Sequence, residues 1–250
     1  MKQAIVNGRW NLWLPDNVAD WDGITGDFSA GHGWEFARFK SMQERLAYGH
    51  FLYDVGAEHG WISAVLAREF VGAENMVLFE PSPDFWVNIH KTWEYNGLRM
   101  PAVMWPGFVG ETNQGVTPGN SSAKALSQWP KGSGLDRPEC EAMAYRSLAN
   151  PAEIPTITID RAMERTGRHP YALNIDVEGA ELLVLRGAEK VLSDPFGRLH
   201  SVWVSIHEDL MVPFGHTPDD VHKFMRDAGW LGQYLGTDHE AHWLYTREPF

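Results

Sequence analysis

From about residue 50 onward the chain alternates short apolar runs with segments of helical spacing, and few folds accommodate that alternation. Phe51-Leu52-Tyr53-Asp54-Val55 reads as a strand, Trp61 to Phe70 as a helix, and Met76 to Phe79 as a second strand. Pro83 to about Tyr95 reads as a helix with proline suited to its first turn. Ala102 to Met104 reads as a third strand, extended toward Val109 through a bend at Pro106-Gly107. The pattern resumes at Thr156 to Ile159, followed by a helix near Arg161 to Thr166, a strand at Ala172 to Val177 and a helix from about Ala180 to Leu192. Ser201 to Ile206 is the next strand, Pro218 to Ala228 a helix, and Trp230 to Leu235 and His242 to Tyr245 close the chain as strands. This order predicts an α/β fold: a doubly wound, mainly parallel sheet with helices on both faces and ligands at the strands' carboxyl ends.

Two stretches depart from the alternation. Residues 1–49 read as an aromatic-rich extension, carrying Trp10, Trp13, Trp21 and Trp34 and few visible regular elements. Residues 111–150 are rich in turn formers and read as an insertion or lid within a domain spanning 50–250. Composition narrows the partners. A net charge of −12 repels a phosphate backbone, so small molecules or glycans are expected rather than nucleic acid. A lone cysteine, Cys140, forms no internal disulfide, no signal-peptide pattern opens the chain, and no apolar run is long enough to span a bilayer. A reducing, cytoplasmic setting without membrane contact is the expectation, and self-assembly into a homo-oligomer is compatible with it.

The stretch Asp54-Val55-Gly56-Ala57-Glu58-His59-Gly60 joins a strand to a helix, and its glycines allow close backbone approach to a ligand. Glu80 ends the next strand, 20 residues past Gly60, where a carboxylate can accept both hydroxyls of a ribose. A dinucleotide fingerprint would need G-x-G-x-x-G for its pyrophosphate. Here an acid precedes G-x-x-x-G, which suits a phosphate-free cofactor with a cationic sulfonium, S-adenosylmethionine, over NAD. An NAD-dependent oxidoreductase or epimerase remains the first alternative, and a non-catalytic S-adenosylmethionine-binding domain the second.

Ile154-Pro155-Thr156-Ile157-Thr158-Ile159-Asp160, Leu173-Asn174-Ile175-Asp176-Val177-Glu178-Gly179-Ala180-Glu181 and Val184-Leu185-Arg186-Gly187-Ala188 together resemble the FkbM family of methyltransferases. Phe79-Glu80-Pro81-Ser82-Pro83 after the first loop adds to the resemblance, which covers roughly residues 50–210. It implies a class I methyltransferase fold and transfer of the S-adenosylmethionine methyl to a hydroxyl of a small molecule, sugar or natural-product scaffold. Carried over by motif, Asp54, Gly56, Ala57 and Gly60 would surround the methionine end, Glu80 and Ser82 the ribose, and Gly110 and Glu111 the adenine. His59, Trp61, Pro106 and the long insert depart from the family pattern.

Asp176 and Glu178 follow a buried-looking strand, so they stand at the ligand-bearing edge. Asp176 is the candidate for proton removal or acceptor contact, and Glu181 suits capping of the next helix. His207-Glu208-Asp209 ends the neighbouring strand, making His207 a second candidate base or simply a hydrogen-bonded strand end. A divalent cation held by Asp176, His207 and Glu208 is the alternative means of activating a hydroxyl.

Overall fold

The computed structural model describes residues 1–20, 24, 26, 31, 33, 35–113, 117–118, 153–154, 156–237 and 240–247. Most of the expected insertion or lid at 111–150, together with Cys140, Trp21 and Trp34, lies outside the described residues.

The main sheet has seven strands, taken here in chain order: β3 (Leu52–Val55), β4 (Met76–Phe79), β5 (Val103–Trp105), β10 (Ala172–Ile175), β11 (Ser201–Ile206), β12 (Leu231–Thr237) and β13 (Ala241–Thr246). Their spatial order is β12-β13-β11-β10-β3-β4-β5. Parallel pairing joins β11, β10, β3, β4 and β5, while β13 runs antiparallel between β11 and β12. Every residue of β3, β4, β5, β10 and β11 is buried, as expected of parallel strands covered on both faces, and this is why they read as mainly apolar runs. The expected doubly wound, mainly parallel sheet is therefore present.

The helices follow their local signals. Pro83–Tyr95 begins with proline in the first turn. Pro218–Asp227 has a capping box between Thr217 and Asp220, and Ile159–Thr166 is capped by Thr158 and ends at left-handed Gly167. The helix expected from Ala180 to Leu192 is in fact two, Glu181–Arg186 and Glu189–Leu192. Gly187 separates them because it abuts the Gly110 carbonyl so closely that an added Cβ would lie 2.0 Å from that oxygen. The strand expected to run on to Val109 also breaks. β6 (Phe108–Val109) leaves the main sheet and pairs in parallel with β9 (Thr156–Ile157), while β7 (Thr117–Pro118) pairs antiparallel with β8 (Glu153–Ile154).

The N-terminal segment is more ordered than its sequence suggested. β1 (Lys2–Val6) and β2 (Trp10–Leu14) form an antiparallel hairpin, and the helices α1 (Asp16–Ala19) and α2 (Phe36–Arg45) follow. Val6, Trp10, Leu12, Leu14, Phe39 and Met42 belong to the same buried cluster as the sheet strands. The extension is thus part of the core. Among the described residues no helix is long and apolar enough to cross a membrane.

Candidate active site

A cavity of about 1150 Å³ opens at the carboxyl ends of β3, β4, β10 and β11. It exceeds the roughly 300–1,000 Å³ of an ordinary ligand pocket, enough for a cofactor and an acceptor together. Gly56 (φ +89°) turns the chain out of β3 into its wall, and a Cβ there would sit 1.7 Å from the Asp176 carbonyl oxygen. The approach of β3 to β10 therefore imposes glycine even without a ligand. Gly56 and Ala57 both donate backbone N–H groups to the Phe79 carbonyl, at 2.9 and 3.0 Å, which fixes the loop over β4.

Glu80 is buried at the end of β4, accepting the Ser82 N–H at 2.7 Å and the Glu58 N–H at 2.8 Å, one on each carboxylate oxygen. Burial raises its pKa to about 8 against the opposing pull of those hydrogen bonds, with the charges of Glu58 and Asp54 adding to the rise. Phe79, Phe85, Phe108 and Val109 supply apolar wall on either side, and Ser82, Gly110 and exposed Glu111 line the same part of the cavity. Glu111 also pairs with Arg186 at 3.2 Å. A buried carboxylate beside an apolar slot fits an adenosine: hydroxyls for the acid, a flat base for the slot.

Two motif residues are placed elsewhere. Asp54 is fully enclosed between β3, β10 and the helix Trp61–Leu66, where it accepts from Ser63 Oγ and, at 2.7 Å, from Asn174 Nδ2. Alternation along β3 turns it from the cavity, and burial raises its pKa despite these donors. Gly60 caps the following helix and packs on Ile89, and its carbonyl accepts from Trp93 Nε1. Neither lines the cavity. Both glue the loop to its scaffold, whereas Gly56 and Ala57 form the wall itself.

The other side of the cavity gathers Asp176 and His207 from adjacent parallel strands, with Asp176 Oδ1 3.5 Å from His207 Nε2. His207 Nδ1 lies 2.7 Å from Glu181 Oε1, which also accepts the Gly179 N–H at 3.0 Å. Glu181 stands in the first turn of its helix but makes no side-chain capping hydrogen bond there, so the expected capping gives way to bracing the imidazole. Burial lowers the His207 pKa, but the Glu181 hydrogen bond and the charges of Asp176, Glu181 and Glu178 outweigh it and lift the value to about 9. At neutral pH the imidazole is already protonated, so the expectation of a free base at His207 is corrected by its carboxylate surroundings.

Arg38, from α2, reaches the same place. It is 1% exposed and donates to Asp176 Oδ2 at 2.9 Å, to Ser205 Oγ at 2.7 Å, and pairs with Glu35. Glu240, ahead of β13, is buried close by, and burial aided by the Asp176 charge raises its pKa to about 7. Asp176, His207 and Glu240 each present a donor atom within 4.8 Å of the others. Glu208, the expected third cation ligand, is exposed on the short helix Glu208–Met211 and stands outside this group because the chain turns away after His207.

Residues 54–230 match the methyltransferase FkbM domain. The chain belongs to that family. Solved structures similar to this FkbM-family chain include the FkbM methyltransferase from Methylobacillus flagellatus KT, at 15% identity and TM-score 0.49 over 81% of this chain and 44% of that one. The precorrin-6y C5,15-methyltransferase from Geobacter metallireducens GS-15 is 12% identical, with TM-score 0.43 over 86% and 88% of the two chains. TrmK from M. capricolum in complex with S-adenosyl-homocysteine is 8% identical, with TM-score 0.40 over 83% and 66%. The chain spans less than half the length of the Methylobacillus structure. No curated protein matches the sequence.

Sequence reasoning missed Glu35, Arg38 and Glu240, all outside the matched segment. Glu35 and Arg38 are an acid and a base three residues apart, a spacing common on a solvated helix face, so nothing local marked them for the core. Glu35, Glu58 and Glu178 line the cavity with φ near +50°, a region that costs a non-glycine residue about 1–3 kcal/mol and is concentrated at functional sites.

Proposed function

We propose that the chain transfers the methyl group of S-adenosylmethionine to a hydroxyl of a small molecule, sugar or natural-product scaffold. One observation carries this reading: a single cavity joins Glu80 on β4 to Asp176 on β10 and His207 on β11. Two strand spacings, about 10 Å, separate β4 from β10, which leaves room for a nucleoside at one end and its reactive sulfur at the other. Glu80 and Ser82 hold the ribose, Gly110 and Glu111 flank the base, and Gly56 and Ala57 bring bare backbone to the amino acid part. The cofactor supplies a methyl on a positively charged sulfur.

The acceptor oxygen forms its bond to the methyl carbon in line with the breaking carbon–sulfur bond, whose electrons return to sulfur. Its proton passes to Asp176, which Arg38 and protonated His207 keep oriented toward the cavity. Holding oxygen and methyl at about 3 Å provides most of the acceleration, and a divalent cation at the same edge would assist by lowering the hydroxyl pKa. Titration calorimetry with S-adenosylhomocysteine and with NAD tests the cofactor reading. Binding of NAD alone overturns it. Labelled methyl appearing on an alcohol acceptor supports the transfer reading, and cofactor binding without transfer to any hydroxyl in a broad panel of sugars and alcohols points to the non-catalytic alternative.

A further inference from the structure

We propose that Asp176, His207 and Glu240 form a divalent-cation site, taking magnesium or manganese, on the acceptor side of the cavity. The proposal rests on the methyl-transfer reading for its purpose but not for its geometry. The three donors come from separate parts of the chain: the end of β10, the end of β11 and the turn before β13. Adjacent strands hold them, since β10 pairs with β11 and β11 with β13. The group is thus set by the sheet rather than by one pliable loop, and its donor atoms all lie within 4.8 Å of one another.

Two of the three ligands are oriented from behind. Glu181, fully buried, engages His207 Nδ1 at 2.7 Å and leaves Nε2 facing Asp176. A carboxylate behind an imidazole is the arrangement by which metal-binding histidines are aimed and made better donors. Arg38 engages Asp176 Oδ2, leaving Oδ1 on the side of His207 Nε2. Glu178 Oε1 reaches to 3.9 Å from the same nitrogen, at the solvent side.

Charge argues the same way. Glu35, Asp176, Glu178, Glu181 and Glu240 surround Arg38 and His207, so carboxylates outnumber cations even with the imidazole protonated. A dication relieves that imbalance and, on binding, displaces the Nε2 proton of His207 to water, since only the neutral imidazole is a ligand. Carboxylate oxygens with one imidazole suit magnesium or manganese better than a thiophilic metal. Such an ion leaves coordination positions open to the cavity, where an acceptor hydroxyl binds and becomes easier to deprotonate. The proton leaves to bulk water, the oxygen pair forms the bond to the methyl carbon, and the carbon–sulfur electrons return to sulfur.

The test is manganese binding to chelator-stripped protein without cofactor, followed by loss of the free-ion electron spin resonance signal. One ion per chain is expected. Glu240→Gln and Asp176→Asn should each weaken binding at least tenfold, and Glu181→Gln, which touches the ion only through His207, by about 10–100-fold. Glu208→Gln should leave the affinity unchanged. Wild-type protein that binds no stoichiometric manganese, or a Glu240→Gln variant with undiminished affinity, overturns the site. S-adenosylhomocysteine calorimetry on the same samples checks folding and separates the two readings. Homocysteine-nucleoside binding without manganese removes the ion alone, and manganese binding without the nucleoside removes the cofactor assignment alone.

Discussion

Replacing Arg38 by Met keeps much of the side-chain bulk and deletes the guanidinium, so it isolates a charge buried at the centre of the molecule. Arg38 and Glu35 are each 1% exposed and Asp176 18%, so bulk water cannot take over the lost contacts. Removing one member of a buried ion pair costs about 3–5 kcal/mol, because the remaining carboxylates keep their desolvation penalty without the compensating cation. For a chain of this size each kcal/mol lowers Tm by about 2–4 °C, giving an expected drop of about 6–20 °C. Urea denaturation measures the loss directly. Arg38→Lys should fall between wild type and Arg38→Met, since an ammonium cannot replace a planar fork serving Asp176, Ser205 and Glu35 at once. Adding Glu35→Gln to Arg38→Met should recover part of the loss, a coupling the double-mutant cycle reads. If Arg38→Met stays within about 1 kcal/mol of wild type, the network is not the buried electrostatic unit its geometry describes.

Glu80→Ala should weaken S-adenosylhomocysteine binding by more than tenfold while the folded signal persists, and unchanged calorimetric affinity would remove Glu80 from the ribose site. Gly56→Val should fail to fold or lose much of its stability with no cofactor present, because its Cβ meets the Asp176 carbonyl; a stable apo variant contradicts that packing. The cofactor-free, chelator-treated protein should melt at progressively lower temperature from pH 5.5 to 8.5. Glu80 and Glu240, raised from 4.5 to about 8 and about 7, give stability that is full below pH 4.5 and lost as pH climbs through those values. His207, raised from 6.5 to about 9, gives stability full below pH 6.5 and lost toward pH 9, so all three act in one direction. A Tm that is flat or rising across that range would refute the assignment.

The sheet was legible because burial on both faces writes itself as short, mainly apolar runs, broken only by Asp54, Asn174, Ser201 and Ser205. Met76–Phe79, Pro83–Tyr95 and Ser201–Ile206 have the limits expected of them. The N-terminal hairpin escaped notice although Asn7 and Gly8, both at positive φ, form the Asn-Gly turn that marks such hairpins. Its short alternating strands lack the apolar continuity of the central ones. At the site, Glu80, Asp176 and His207 were legible because strand-end position follows from periodicity. Asp54 was misplaced by the same rule's limit: a one-residue change along a strand reverses the direction of the side chain, and the loop motif does not reveal which residue is the last to face inward. Arg38 and Glu240 were out of reach because their proximity to Asp176 is created by tertiary folding between segments far apart in sequence.

Those distant contributions tie both ends of the chain to one cavity. Glu80, Asp176 and His207 all sit within the segment shared with the family, while Asn17, Val18 and Glu35 before it and Glu240 after it line the same cavity. The ends are also bound into the fold, because the N-terminal segment shares the buried cluster of the sheet and supplies Arg38 to Asp176. A graft of residues 54–230 alone would carry Asp176 without the buried Arg38 that pairs with it and would leave the cavity without Glu35 and Glu240.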